Sequence, residues 1–123
     1  MNRCNKNIVV EINIEIEAMY RFMLWLVPTV KGFPRSQKFM LGDRIQTNAI
    51  DILESLIEAT YSRSRDRQLG QANLGLEKLR FLFRLAKDLH NIDDRRYEHA
   101  ARSIDEIGRM VGGWIKVNHA SQN

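Results

Sequence analysis

The chain has 123 residues, a formal net charge of +4 and one cysteine, Cys4, so it offers room for one domain but not for separate binding and catalytic domains. A single cysteine forms neither a disulfide nor a thiolate metal site within one chain. This is typical of proteins in the reducing interior of the cell. The whole basic excess lies in residues 63–123, and a localised excess favours an anionic partner such as nucleic acid.

No membrane segment is expected. The longest apolar stretch without a charge, 22–30, is far shorter than the roughly 20 residues that span a bilayer. An N-terminal signal is not expected either, because glutamates interrupt the apolar run that starts at Ile8. We therefore expect a cytoplasmic protein with one domain, 1–123, and mobile ends at 1–10 and 118–123.

The first segment fits two periodicities. Alternate residues are apolar, as in a half-buried strand: Val10, Ile12, Ile14 and Ile16. A spacing of three and four, as in a helix, joins Ile12, Ile16, Met19, Met23 and Leu26. Because no second strand is available for pairing, we predict a helix that begins between residues 8 and 17. Pro28 should bend or end it, and Gly32 and Pro34 mark the next connection.

A second helix is predicted from Pro34 to about Tyr61, and the polar run 62–67 predicts a loop or a frayed entry into a third. The third helix, 69–89, carries two apolar arcs. One arc contains Leu69, Ala72, Leu76, Leu79, Phe83 and Ala86. The other contains Leu74, Phe81, Leu82, Leu85 and Leu89.

Two apolar arcs on one helix require two partners. We predict that the first arc packs inside the subunit. The second arc is predicted to meet another subunit through Leu74, Phe81 and Leu85 in a homo-oligomer. The alternative is a wider core within a single subunit.

A basic edge lies between the two arcs and is predicted to face a polyanion: Arg80, Arg84 and Lys87. The competing interpretation is that these side chains pair with Glu77 and Asp88 and merely solvate the helix.

The last helix has the cleanest repeat. Asp93 is a predicted N-terminal cap, and a seam with bundle spacing follows: Tyr97, Ala100, Ile104, Ile107, Val111 and Trp114. A basic stripe about 30 Å long recurs every seven residues on nearly the opposite face: Arg95, Arg102, Arg109 and Lys116. The alternative is a solvated face, on which Arg102 pairs with Glu98 and Arg109 pairs with Asp105.

Two glycines in this helix, Gly108 and Gly112, each cost about 1 kcal/mol against alanine, so we predict that another backbone approaches closely there. Four helices with three short connections predict an all-α, up-down-up-down four-helix bundle.

The motifs expected of an enzyme are missing. No Glu-x-x-His or His-x-x-Glu provides ligands for a carboxylate-bridged metal pair, and no phosphate loop, dinucleotide fingerprint or hydrolase elbow occurs. We expect no enzyme activity, no metal and no cofactor; a small bundle enzyme or metal protein is the alternative.

Arg35 and Lys38 lie at a helix start, where backbone N–H groups favour anions. With Arg44 they can contact phosphates without reading bases. The alternative is that Arg35, Asp43 and Arg44 brace the helix start against its neighbours.

Four segments carry a resemblance: FPRSQKF at 33–39, LGDRI at 41–45, LRF at 79–81 with Arg84, and EIGRMVGGWI at 106–115. Together they resemble the accessory variability determinant proteins of diversity-generating retroelements, over residues 17 to 117. The chain is also similar to a sister group of four-helix-bundle proteins encoded in intervening sequences of ribosomal RNA genes.

The resemblance implies a four-helix bundle that assembles as a ring-like homo-oligomer, with a pentamer favoured. It implies a non-enzymatic partner of reverse transcriptase that binds RNA and DNA and supports mutagenic reverse transcription. Arg80 and Arg84 are the basic positions that the motif match carries over first. The alternative is an interaction protein of the ribosomal intervening-sequence type with another nucleic-acid partner.

Overall fold

The computed structural model describes residues 14–122, which form four helices and no strand. Helix α1 is Ile14–Lys31. Helix α2 opens with Arg35–Gln37, passes through the π-helical segment Lys38–Gly42 and continues as Asp43–Tyr61. Helices α3 and α4 are Arg65–Asp88 and Asp94–Gln122. The all-α prediction is confirmed. In the ambiguous first segment Ile14 and Ile16 are helical, whereas Val10 and Ile12 lie outside the described residues.

Each helix buries one stripe of apolar side chains, and the four stripes form a single core. Consecutive helices pack against each other, and α1 also contacts α4. On α3 the whole first arc is buried, as predicted. On α4 the predicted seam faces the core, with Ala100, Ile104, Ile107 and Val111 buried and Tyr97 and Trp114 half-buried at its ends. The protein is therefore a four-helix bundle.

Proline does not end α1. The helix continues through Pro28 to Lys31, and Pro28 itself is exposed. The connection that follows is closed by two backbone hydrogen bonds, from Gly32 N to Thr29 O at 3.1 Å and from Phe33 N to Val30 O at 3.0 Å. This short turn returns the chain antiparallel to α1, because it leaves only residues 32–34 outside a helix.

A Schellman motif ends α3. His90 has φ of 62°, in the left-handed region, and its N–H donates to the Lys87 carbonyl while Asn91 N–H donates to the Ala86 carbonyl. Asp93 then caps α4, since its Oδ1 accepts the Arg96 N–H at 2.8 Å. The predicted cap is confirmed. The Schellman motif and the Asp93 cap together position the N-terminus of α4 beside the end of α3.

The C-terminal end of α4 differs from expectation. Residues 118–123 were expected to form a mobile end, but the helix continues to Gln122. Asn118 is buried, and its Nδ2 donates to Asp66 Oδ1 at the start of α3 over 2.6 Å. This bond ties the last turns of α4 to α3, which the polar composition of the segment does not reveal. The other expected mobile end, 1–10, lies outside the described residues.

The prediction that another backbone approaches Gly108 and Gly112 was wrong for a single subunit. A Cβ built at Gly108 or Gly112 meets no atom within 4 Å, so no backbone of the described residues approaches them. The most crowded glycine is Gly75, where a Cβ would lie 2.6 Å from Cγ1 of Ile52; Gly42 is also crowded, at 2.8 Å from Cγ1 of Val30. Asn48 Nδ2 donates to the Gly75 carbonyl at 2.9 Å. Gly75 therefore sets the close approach of α2 to α3.

One carboxyl group is buried in the first turn of α1. Burial raises the pKa of Glu15 above its ordinary value of 4.5, and a hydrogen bond from its own backbone N–H opposes this increase. The folded chain thus binds this proton more tightly than the unfolded chain. The corresponding stability is fully present below pH 4.5 and is lost as the pH rises through the raised pKa.

We therefore expect Glu15→Gln to raise the melting temperature at pH 7, because glutamine has no charge to desolvate. The gain should vanish below about pH 4.5, where Glu15 is neutral in both states. Thermal unfolding of both proteins across this range measures it, and a gain that does not change with pH would contradict the explanation.

Candidate nucleic-acid and subunit interfaces

Arg80 joins α3 to α4. Its Nη1 donates to Asp105 Oδ1, and its Nη2 donates to Glu77 Oε1 at 3.4 Å. The hydrogen bond to Asp105 raises the pKa of the guanidinium above its ordinary value. Pairing with Glu77 is part of the competing interpretation, whereas Asp105 was not foreseen as a partner. The assignment of Arg80 to phosphate binding stays a prediction, but its charge is already balanced within the subunit.

The other two cations of the basic edge differ from each other. Lys87 Nζ lies 4.8 Å from the centre of the Tyr97 ring and 3.9 Å from Asp94 Oδ1. Arg84 is exposed and forms no ion pair with any described residue. Arg84 is thus the cation of this edge that has its full donor set available for a phosphate.

The predicted basic stripe on α4 also contains both a paired and an unpaired arginine. Arg102 Nη2 lies 2.5 Å from Glu98 Oε1, so the predicted pair forms. The predicted pair of Asp105 with Arg109 does not form, because Asp105 accepts from Arg80 instead. Arg109 is exposed and lines a groove with Arg65 and Trp114.

The start of α2 carries two further predicted cations. Arg35 is exposed and Lys38 is half-buried, and neither forms an ion pair within residues 14–122. Arg80 and Lys87 reach Asp105 and Asp94, both in the half of α4 that carries Arg102. The structure shows no contact that joins Arg35 or Lys38 to that face.

Sequence reasoning missed one basic cluster. The segment 62–67 was predicted as a loop or a frayed entry into the third helix. Residues 62–64 lie outside a helix and α3 begins at Arg65, so Arg63, Arg65 and Arg67 surround a helix N-terminus. Cations are disfavoured there by the helix dipole, and none of the three pairs with an acid among the described residues. The sequence pattern that could have identified this cluster is the run of three arginines at alternate positions.

The second apolar arc of α3 is exposed. Leu74, Phe81 and Leu85 have 56%, 62% and 44% of their surfaces accessible. Of the residues in this arc, only Leu82 is half-buried and packs against the core. Phe81 and Leu82 line an open groove of about 630 Å³ between α2 and α3, together with Arg44. Residues 14–122 therefore do not form the wider intramolecular core.

Further large apolar side chains are exposed on α1 and α2. They include Tyr20, Leu24, Ile50, Ile57 and Tyr61. On α2, Ile50 and Ile57 lie roughly 140–160° around the helix from Ile52, which faces α3. The bundle thus exposes apolar side chains on two different sides.

Within residues 14–122, no group of three or more His, Cys, Asp or Glu side chains is arranged to hold a metal ion. None of the four helices has the length and hydrophobicity that crossing a bilayer requires.

Comparison with known proteins adds one finding to this geometry. The model of the bAvd-like family matches residues 12–118, which include nearly the whole described bundle. No curated protein matches the chain. Since the match covers far more than half of the sequence, the chain belongs to the bAvd-like family.

Proposed function

We propose that this protein is a non-enzymatic accessory protein of a diversity-generating retroelement. It binds the reverse transcriptase and nucleic acid, both template RNA and cDNA, and supports mutagenic reverse transcription in the cytoplasm. The observation that carries the proposal is the family match over residues 12–118. The match also favours this function over that of a ribosomal intervening-sequence protein.

We further propose that the bundle works as a ring-like homo-oligomer, with a pentamer favoured. The exposed arc of Leu74, Phe81 and Leu85 supports this, since contiguous exposed apolar surface marks protein contacts. Contact between this arc and Ile50 and Ile57 on α2 of the next subunit would join two different patches. Such head-to-tail contacts close into rings when the rotation permits.

Unpaired cations support nucleic-acid binding. Arg84, Arg35 and Arg109 are exposed without an ion pair among the described residues, so phosphate contact breaks no existing bond. The net charge of +4 per chain becomes about +20 in a pentamer, which strengthens attraction to a polyanion at moderate salt. Repetition of each cation around a ring adds avidity.

Arg84→Ala tests the nucleic-acid part of the proposal. Filter binding to RNA and DNA at several salt concentrations should show weaker binding across all sequences. The slope of log K against log salt should fall by roughly 0.7–0.9 for each lost phosphate contact. Arg84 is a cleaner target than Arg80, because removing Arg80 also leaves Asp105 without its partner.

Arg21→Ala is the matched control, since it removes the same charge from an exposed side chain that pairs with Glu17 on α1. It should leave the slope unchanged. Equal affinities and slopes for wild type and Arg84→Ala would remove Arg84 from the binding surface. The Arg35/Lys38 and Arg102/Arg109 pairs would then be tested next.

The transcriptase part of the proposal needs a separate test. A reverse-transcriptase gene and a near-repeat of the end of a target gene should lie beside the gene for this protein. The encoded transcriptase should co-purify with this protein after nuclease treatment. Loss of co-purification on nuclease treatment would show that nucleic acid, rather than a protein contact, joins them.

A further inference from the structure

The first turns of α2 contain a π-helical segment, Lys38–Gly42, in which the N–H of Asp43 donates to the Lys38 carbonyl five residues earlier. A regular α-helix continued back from Ile45 would place Lys38, seven residues earlier, on the core face. The wider turn keeps Leu41 and Gly42 buried while Lys38 is only half-buried. π-helical turns inside α-helices are frequent at functional sites.

The same segment presents two large apolar side chains to solvent. Phe39 is 68% exposed and Met40 is 62% exposed. No aromatic ring among the described residues packs against Phe39, whereas Phe22, Trp25 and Phe83 pack against one another. Phe39 is therefore a largely exposed ring without an aromatic partner in residues 14–122.

Cations flank this ring on both sides in the sequence. Arg35 lies one turn before Phe39, Lys38 is adjacent and Arg44 follows, and none forms an ion pair among the described residues. Asp43 is the one acidic side chain between residues 31 and 50, and it is exposed. The chain segment around the ring is thus positive, which complements a polyanion and opposes a second copy of the same surface.

We propose that Phe39 is a stacking platform for a base of single-stranded nucleic acid, with Arg35 and Lys38 holding the neighbouring phosphates. An exposed aromatic ring can stack on the face of a base, and the cations beside it can bind the phosphates of the same strand. Single strands offer unstacked bases for this contact, whereas in a duplex the base faces are covered by neighbouring bases. The inference rests on the proposed nucleic-acid binding and adds that one site selects single strands.

The test is fluorescence anisotropy with a labelled single-stranded RNA and with the duplex of the same sequence, at one salt concentration. Phe39→Ala should weaken single-strand binding by about 5- to 150-fold, which corresponds to the stacking of one base. Duplex binding should stay within about twofold, because only phosphates are contacted there. Phe39→Trp should retain single-strand affinity.

Met40→Ala is the matched control. It removes a similarly exposed apolar side chain from the same segment, but one that has no ring on which a base could stack. It should not change the preference for single strands. Light scattering on each variant shows whether the assembly is intact.

Four results would overturn the inference. Single-strand affinity unchanged by Phe39→Ala, or both probes weakened equally, would remove stacking while leaving the proposed function standing. A fall in the mass of Phe39→Ala would instead make Phe39 a subunit contact. A wild type that binds neither probe would overturn the proposed nucleic-acid binding itself, and the inference with it.

Discussion

Replacing Phe81 and Leu85 together by aspartate is expected to convert the assembly into monomers of 14.4 kDa. Both side chains lie on the exposed face of α3, directed away from the core, so the bundle itself should remain folded. Burial of such side chains at an interface contributes about 1.5–3 kcal/mol each, and a buried aspartate would carry an uncompensated charge. Light scattering at micromolar concentration measures the mass, and circular dichroism verifies the helices.

The control is the pair Phe81→Leu and Leu85→Met, which keeps the surface apolar and should keep the assembly. An unchanged mass after the aspartate changes would move the interface to another face. A wild-type mass of 14.4 kDa would contradict the proposed homo-oligomer as a whole.

Gly75→Ala is expected to lower the free energy of unfolding by about 1–3 kcal/mol, the usual effect of overpacking. The added Cβ would lie 2.6 Å from Cγ1 of Ile52, a fully buried and β-branched side chain. Such a side chain has few alternative rotamers, so α2 and α3 must move apart. Urea unfolding gives the change through the transition midpoint.

Gly112→Ala is the matched control, because its Cβ meets nothing within 4 Å inside the subunit. It should stabilise by roughly 0.5–1 kcal/mol through helix propensity. In an Ile52→Ala background, the cost of Gly75→Ala should largely disappear, since the clashing atom is gone. The same cost in both backgrounds would show that Ile52 is not its cause.

Local patterns in the sequence sufficed for the helices and their inward faces. The spacing of Leu69, Leu76 and Phe83 identified the buried arc of α3, and Asp93 was recognisable as a cap. Both features depend on neighbours within a few turns of the same chain segment. Hydrophobic periodicity and capping report such short-range energetics directly.

The charged surface illustrates where local reasoning stops. Asp105 is four residues from Arg109, so an intrahelical pair was predicted, yet it binds Arg80 from the adjacent helix. A surface carboxylate gains little from any single partner, so small differences in side-chain position decide which cation it takes. Those positions depend on the rotation and spacing of two packed helices.

Tertiary packing also determined which glycines are crowded and which helical geometry the start of α2 adopts. Gly75 is tight and Gly112 is open, although both are helical glycines in the sequence, because only Gly75 faces the buried Ile52. Near Lys38 the need to bury Leu41 while keeping a cation out of the core overrides the regular α-helical spacing. The existence of the helices and their inward faces thus follow from short-range periodicity. The free cations, the crowded glycine and the outward aromatic ring follow from how helices distant in sequence are oriented against each other.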